Sequence, residues 1–137
     1  MRYLITILLT IFLNANYSQV GNIVIDDTTN LQWQNDSQVS STQLTWSEAI
    51  NFCENLELDN YNDWRLPNIV ELSSIIDFTQ AQPVIANIFE NRAGDFWSST
   101  TYAKDTTQAW KVIFNYGVEY FEDKENKLFV RCVRSGL

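Results

Sequence analysis

Two cysteines carry the most readable chemistry in this 137-residue chain. Cys53 and Cys132 stand 79 positions apart. Such a pair can be a structural cystine or a redox couple, and the surrounding words separate the two. Neither residue belongs to a Cys-x-x-Cys pair, the usual setting of a reactive thiol. Cys53 shares helical spacing with Trp46, Ala49, Ile50 and Leu56, so it falls on the apolar stripe of a helix over residues 45–56. Cys132 alternates with Leu128 and Val130 in a strand over residues 128–133. Two inward-facing positions favour a buried cystine over a reactive thiol.

The second chemical feature is the run Asp59-Asn-Tyr-Asn-Asp63. Four of its five side chains offer oxygen, the ligand that hard cations such as calcium prefer. Asp59, Asn62 and Asp63 are therefore candidate calcium ligands, although the glycine and distal glutamate of an EF-hand are missing. The competing reading is a turn in which Asp63 bonds backbone amides or Arg65. Five tryptophans form the third feature, because an indole face can stack on a sugar ring. Trp46 lies on the helical stripe, and Trp110 alternates with Val112 and Phe114, so both are expected in the core. Arg131 and Arg134 flank Cys132 on the opposite face, where they are expected as solvated salt-bridge partners.

Catalysis is weakly provided for. The chain has no histidine, which removes the usual general base and the usual zinc or copper ligand. No nucleophile elbow is present. Carboxylate pairs among the 17 acids have separations that a sequence does not reveal.

Charge and targeting narrow the partners. Residues 4–13 are apolar apart from two threonines, follow Arg2, and lead to Ala15 and Ser18 as candidate small residues before a cut. The expected division is a leader over residues 1–18 and one domain over 19–137. The apolar run is shorter than the ~20 residues of a membrane span, so no membrane insertion is expected. Export would place the cysteines in an oxidising compartment, whether periplasmic, cell-surface or extracellular. Net charge is −8 with the leader and −9 without it, since the leader holds one base and no acid. Such a surface has no general attraction to nucleic acid or to heparin-like polymers.

The elements that would position these groups follow from local pattern. Residues 23–25 and 31–33 read as strands of a hairpin, and residues 35–43 as a polar loop. Thr45 with Glu48, and Asn68 with Glu71, have capping-box spacing, so each starts a helix. Residues 85–89 suggest one further helical turn. The last third reads as antiparallel strands at 96–99, 109–114, 118–121 and 128–133, with Asn115-Tyr-Gly117 as one of the turns. Two helices followed by a meander make an α+β domain.

Nine words occur in order: Leu31-Gln-Trp33, Thr45-Trp46, Ala49-Ile50, Cys53, Asp63-Trp-Arg-Leu-Pro67, Glu71-Leu72, Phe96-Trp-Ser-Ser99, Ala109-Trp110 and Val130-Arg-Cys-Val-Arg134. This set closely resembles the Lcl C-terminal domain family, named for the last domain of a bacterial collagen-like adhesin. That family resembles a branch of the C-type-lectin-like fold. The resemblance implies a small twisted antiparallel sheet, terminal strands close together, and a Cys53–Cys132 cystine joining the first helix to the last strand. It also marks Trp33, Trp64 and Trp97 as framework.

The function implied is bacterial adhesion or binding to a glycan or protein, without catalysis; the alternatives are a homo-oligomerising assembly module and a carboxylate-dependent hydrolase. The named member's binding to sulfated polysaccharide is not expected of so acidic a chain, which also lacks a Gly-X-Y stalk. The calcium words of the wider fold's lectins are incomplete here, with Gln82-Pro83-Val84 and Asn62-Asp63-Trp64 in their place. Lectin-like domains carry ligand loops between the second helix and the final strands. By that analogy Asn91, Arg92, Asp95, Tyr102, Lys104 and Asp105 are the expected ligand contacts.

Overall fold

The computed structural model describes residues 16–90 and 93–136. Most of the leader, and Asn91 and Arg92, lie outside the described residues. The first sheet begins with a hairpin. Strands β2 (Ile23–Asp26) and β3 (Leu31–Gln34) pair in antiparallel register, with Val24 opposite Trp33. Asp26 sets the turn by accepting from the Thr28 amide at 2.9 Å and the Thr29 hydroxyl at 2.9 Å. Strand β1 (Tyr17–Val20) adds to the free side of β2, turning through Gly21 at φ +58°. It straddles the expected leader boundary at residue 18.

The helices start where the capping boxes place them. Of these, α2 spans Trp46–Glu54 and α3 spans Ile69–Ser73, each with both reciprocal cap bonds. A shorter helix, α1 (Gln38–Ser41), occupies the stretch expected to be loop, because Val39 is fully buried and needs an ordered turn to hold it there. Residues 85–89 form no helix; Ile85 bridges to Ile76, and a turn buries Phe89.

A second sheet has the order β4-β8-β5-β6-β7, comprising Gln43–Leu44, Leu128–Phe129, Asp95–Thr101, Gln108–Ile113 and Val118–Asp123. Its neighbours pair antiparallel except β5 with β8. Alternation sends Phe96 and Val112 into one apolar cluster with Leu72 and Phe114, and Trp97 and Ala109 into another with Ala49 and Cys53. The central strands are thus buried on both faces.

The C-terminal stretch corrects the sequence reading most sharply. Residues 128–133 are not one strand: β8 ends at Phe129, and β9 (Val133–Ser135) joins β3 in the first sheet. The connecting residues Val130, Arg131 and Cys132 cross between the sheets and are all buried. The domain is mixed α+β, mostly strand, with two sheets where one was expected. The expected cystine is present, joining α2 to the link before β9 with Cα atoms 5.5 Å apart. Among the described residues no helix is long and apolar enough to cross a membrane.

Candidate functional site

The crossing link explains Arg131. Strand alternation would have turned it to solvent, but the chain leaves the strand here and its side chain is fully buried. The guanidinium donates to the Gln34 carbonyl at 3.0 Å, to Asn35 Oδ1 at 3.1 Å and to the Glu90 carbonyl. It also lies over Phe89 and Phe96. Burial pushes its pKa down to about 9, still above neutral pH. Asn35 completes the clamp, accepting from the Glu90 amide at 2.7 Å and donating to the Ile88 carbonyl at 3.1 Å. Arg131 is a scaffold for the 88–90 segment. Arg134 does meet the expectation of a salt bridge, gripping Asp63 at 2.7 and 3.1 Å.

Among the described residues, the expected ligand contacts Asp95, Tyr102, Lys104 and Asp105 do not form one group. Asp95 opens β5 and pairs with Lys111 at 2.7 Å, and Lys111 also reaches Glu122 at 3.0 Å. Burial alone would lower the Lys111 pKa, but its two carboxylate partners outweigh it and raise the value. Tyr102, Lys104 and Asp105 belong to the loop beyond the other end of that seven-residue strand, roughly 20 Å away at 3.3 Å per residue. Lys104 is exposed. Asp105 shapes the loop by accepting from the Thr107 hydroxyl at 2.6 Å and amide at 3.0 Å, which hold its pKa below the usual carboxylate value.

The candidate calcium ligands Asp59 and Asp63 have different partners. Asp59 accepts from the Asn22 amide at 2.7 Å and side chain at 3.0 Å, pinning the 59–61 turn to the β1–β2 turn. Asp63 is held by Arg134, whose hydrogen bond keeps its pKa low, while Arg65 forks onto Glu71 at 2.6 and 2.7 Å. Asn62 is exposed. Among the described residues no three His, Cys, Asp or Glu side chains converge as a metal site.

Tyr102 belongs to a different assembly. The β5 register shifts between Trp97 and Thr101, and Tyr102 then donates its amide to the Gln108 carbonyl at 2.9 Å, closing the loop. Its ring stacks on Phe121 with centroids 4.4 Å apart and planes 5° from parallel. Tyr120 stacks on Phe121 at 4.4 Å and 15°. Two rings this close cannot share one face of Phe121, so the three form a column with Phe121 in the middle. Trp110 meets Tyr102 edge-on at 5.3 Å and Phe121 at 6.1 Å. Trp110 is therefore not in the core: it lies beyond the part of the sheet that the apolar clusters cover, half-buried against these rings.

At the end of the column Tyr120 is 53% exposed. Polar residues adjoin the column along the chain and the paired strands. Lys124 lies 3.9 Å over the Trp46 ring and donates to the Thr101 hydroxyl at 3.0 Å. Trp46 is also only half-buried, with its indole N–H on the Ser98 carbonyl at 2.9 Å. Gln108 and Asp123 face each other across β6 and β7. The sequence held a signal for this site: a turn at residues 115–117 that pairs Ile113 with Val118 also pairs Trp110 with Phe121.

The sequence profile of the Lcl C-terminal domain family matches residues 22–134. The chain belongs to the Lcl C-terminal domain family. No curated protein matches it. The match covers the cystine, both capping-box helices, the crossing link and the ring column. Trp33, Trp64 and Trp97, expected as framework, are 0%, 3% and 0% exposed.

Proposed function

We propose that this member of the Lcl C-terminal domain family is a secreted, non-catalytic binding module whose ring column takes the apolar face of a neutral glycan. One observation carries the reading: the three-ring column Tyr102–Phe121–Tyr120 is backed by Trp110 and open at Tyr120. Sugar rings present C–H groups on one face and hydroxyls around the rim, so they suit an aromatic surface with polar neighbours. The fold we assign is C-type-lectin-like. Its support is the cystine from α2 to the last crossing segment and the pairing of N-terminal β3 with C-terminal β9. Recognition by stacking runs without calcium, so chelation should leave binding intact.

The hydrolase alternative fares worse. Asp95 and Glu122 share Lys111, and despite its partial burial Glu122 is held below the usual carboxylate pKa by Lys111, Asn126 and the Asp123 amide. Glycoside hydrolysis needs one carboxyl kept protonated, the opposite tuning. A second reading, assembly without a small ligand, is favoured by the outer edge of β7, where Val118 is 45% exposed close to Tyr116 at 63%. A glycan array run with and without chelator, beside sedimentation of the same protein, separates the two. Saturable, chelator-resistant binding to neutral glycans supports the lectin reading. A silent array with a stable oligomer supports assembly.

A further inference from the structure

The first sheet, which holds none of the column's rings, carries a cleft of about 210 Å3 between the β1–β2 turn and the 58–61 turn. Val20, Ile23, Ile25 and Tyr61 supply apolar walls, and Gln32 and Asp59 supply the polar ones. The volume is below the ~300–1,000 Å3 of most small-molecule sites, which suits a single side chain. Val20 is 62% and Tyr61 41% exposed, and with the exposed residues near β7 set aside these are among the few large apolar side chains left open to water.

The carboxylate is fixed in place. Asp59 stands at φ +51°, and each of its oxygens accepts one bond from Asn22, leaving each a further lone pair. Gly21 keeps that position open: a Cβ there would lie 2.6 Å from Asp59 Oδ2, and its φ of +58° already disfavours any side chain. Arg134 lies 3.7 Å from the Tyr61 ring centroid, donates to the side chain of the lining Gln32, and is held by Asp63. The net charge of the chain, −8, favours a cationic partner over an anionic one. Apolar walls ending in an immobilised carboxylate match an aliphatic stem ending in a cation.

We infer that this cleft receives a lysine side chain of a partner protein, with the stem along Ile23 and Ile25 and the ammonium on Asp59. The site is separate from the proposed glycan surface and stands without it. The probe is Nα-acetyl-lysine N-methylamide, titrated into the labelled domain while amide and methyl resonances are followed. Saturable shifts at Asn22, Ile23 and Ile25 are expected. The norleucine analogue, which keeps the stem and drops the charge, should bind roughly tenfold or more weakly, as a charge-assisted hydrogen bond predicts. Asp59→Asn should lose a similar factor while staying folded, because Asn tolerates positive φ and keeps one acceptor for Asn22. Val20→Glu, at an exposed edge position, should tighten binding several-fold by placing a second carboxylate at the mouth. Equal affinity for the norleucine analogue, unchanged affinity in Asp59→Asn, no tightening in Val20→Glu, or no shifts at the cleft at all would each overturn the assignment.

Discussion

Replacing Arg131 by Met tests the crossing link between the two sheets. Met nearly fills the same volume, so little cavity is created, and the loss is that of the guanidinium. Three acceptors lose a donor: the Gln34 and Glu90 carbonyls and Asn35 Oδ1. Asn35 Oδ1 still receives the Glu90 amide at 2.7 Å, so the two backbone carbonyls dominate the cost. At about 1–2 kcal/mol for each of the two carbonyls left unmade the gross loss is about 2–4 kcal/mol, and the desolvation relieved by removing a charge brings the net to about 1–3 kcal/mol. Arg131→Lys keeps the charge but not the planar fork and should fall between wild type and Met. Urea unfolding under non-reducing conditions, with the slope unchanged, reads the difference directly. Hydrogen exchange should also show the Glu90 amide losing protection. A Met variant within ~0.5 kcal/mol of wild type would refute the clamp, since surface substitutions typically fall in that range.

Four further outcomes follow from the same geometry. Reducing the cystine, or changing both cysteines to Ser, should destabilise the fold by ~4.5 kcal/mol in the chain-entropy limit for a separation of 79 residues, and thiol labelling of the oxidised protein under denaturing conditions should find no free sulfhydryl. Glu71, Glu122 and Asp63 have lowered folded-state pKa values, so their contribution is full above the ordinary carboxylate range and is lost as pH falls through the folded values; the melting temperature should hold between pH 7 and about 5 and drop below, less steeply in Glu71→Gln. If the leader is removed on export, mass spectrometry should place the new N-terminus at Asn16, after Ala15. A cut after Ser18 would delete Tyr17, whose ring packs on Phe89 at 5.2 Å, and half of β1. Heparin chromatography should show weak or absent retention at physiological salt, and elution only well above it would show that a local basic patch overrides the net charge.

Local signals were legible in the sequence wherever the physics is local. The capping boxes at Thr45 and Asn68 place both longer helices, and the β2–β3 hairpin and the 115–117 turn follow from turn chemistry and alternation. The inward position of Cys53 is a helical-period result, and the bond it makes is as expected. What failed was non-local. Period-2 reasoning put Arg131 in water because nothing in residues 128–133 announces that the chain changes sheets. The oxygen-rich run 59–63 likewise does not announce that Asp59 meets Asn22 and Asp63 meets Arg134, partners distant in sequence. The proposed ligand surface is half visible in the sequence. Tyr102 is among the expected contacts and Phe121 and Tyr120 are not, and alternation with Val112 places Trp110 in the core because it does not show where the covering layer stops.

The central claim is that the Tyr102–Phe121–Tyr120 column is the ligand surface, and Tyr120→Ala tests it most directly. Tyr120 is half-exposed on an edge strand, so its removal should leave the melting temperature nearly unchanged. Calorimetric titration with the best glycan from an array should show affinity falling about tenfold in Tyr120→Ala, in keeping with ~1–1.5 kcal/mol for one lost stacking contact. Ser47→Ala, on the solvated face of α2, should bind like wild type. Unchanged affinity in Tyr120→Ala together with a loss in Ser47→Ala would place the ligand on another face of the molecule and contradict the account.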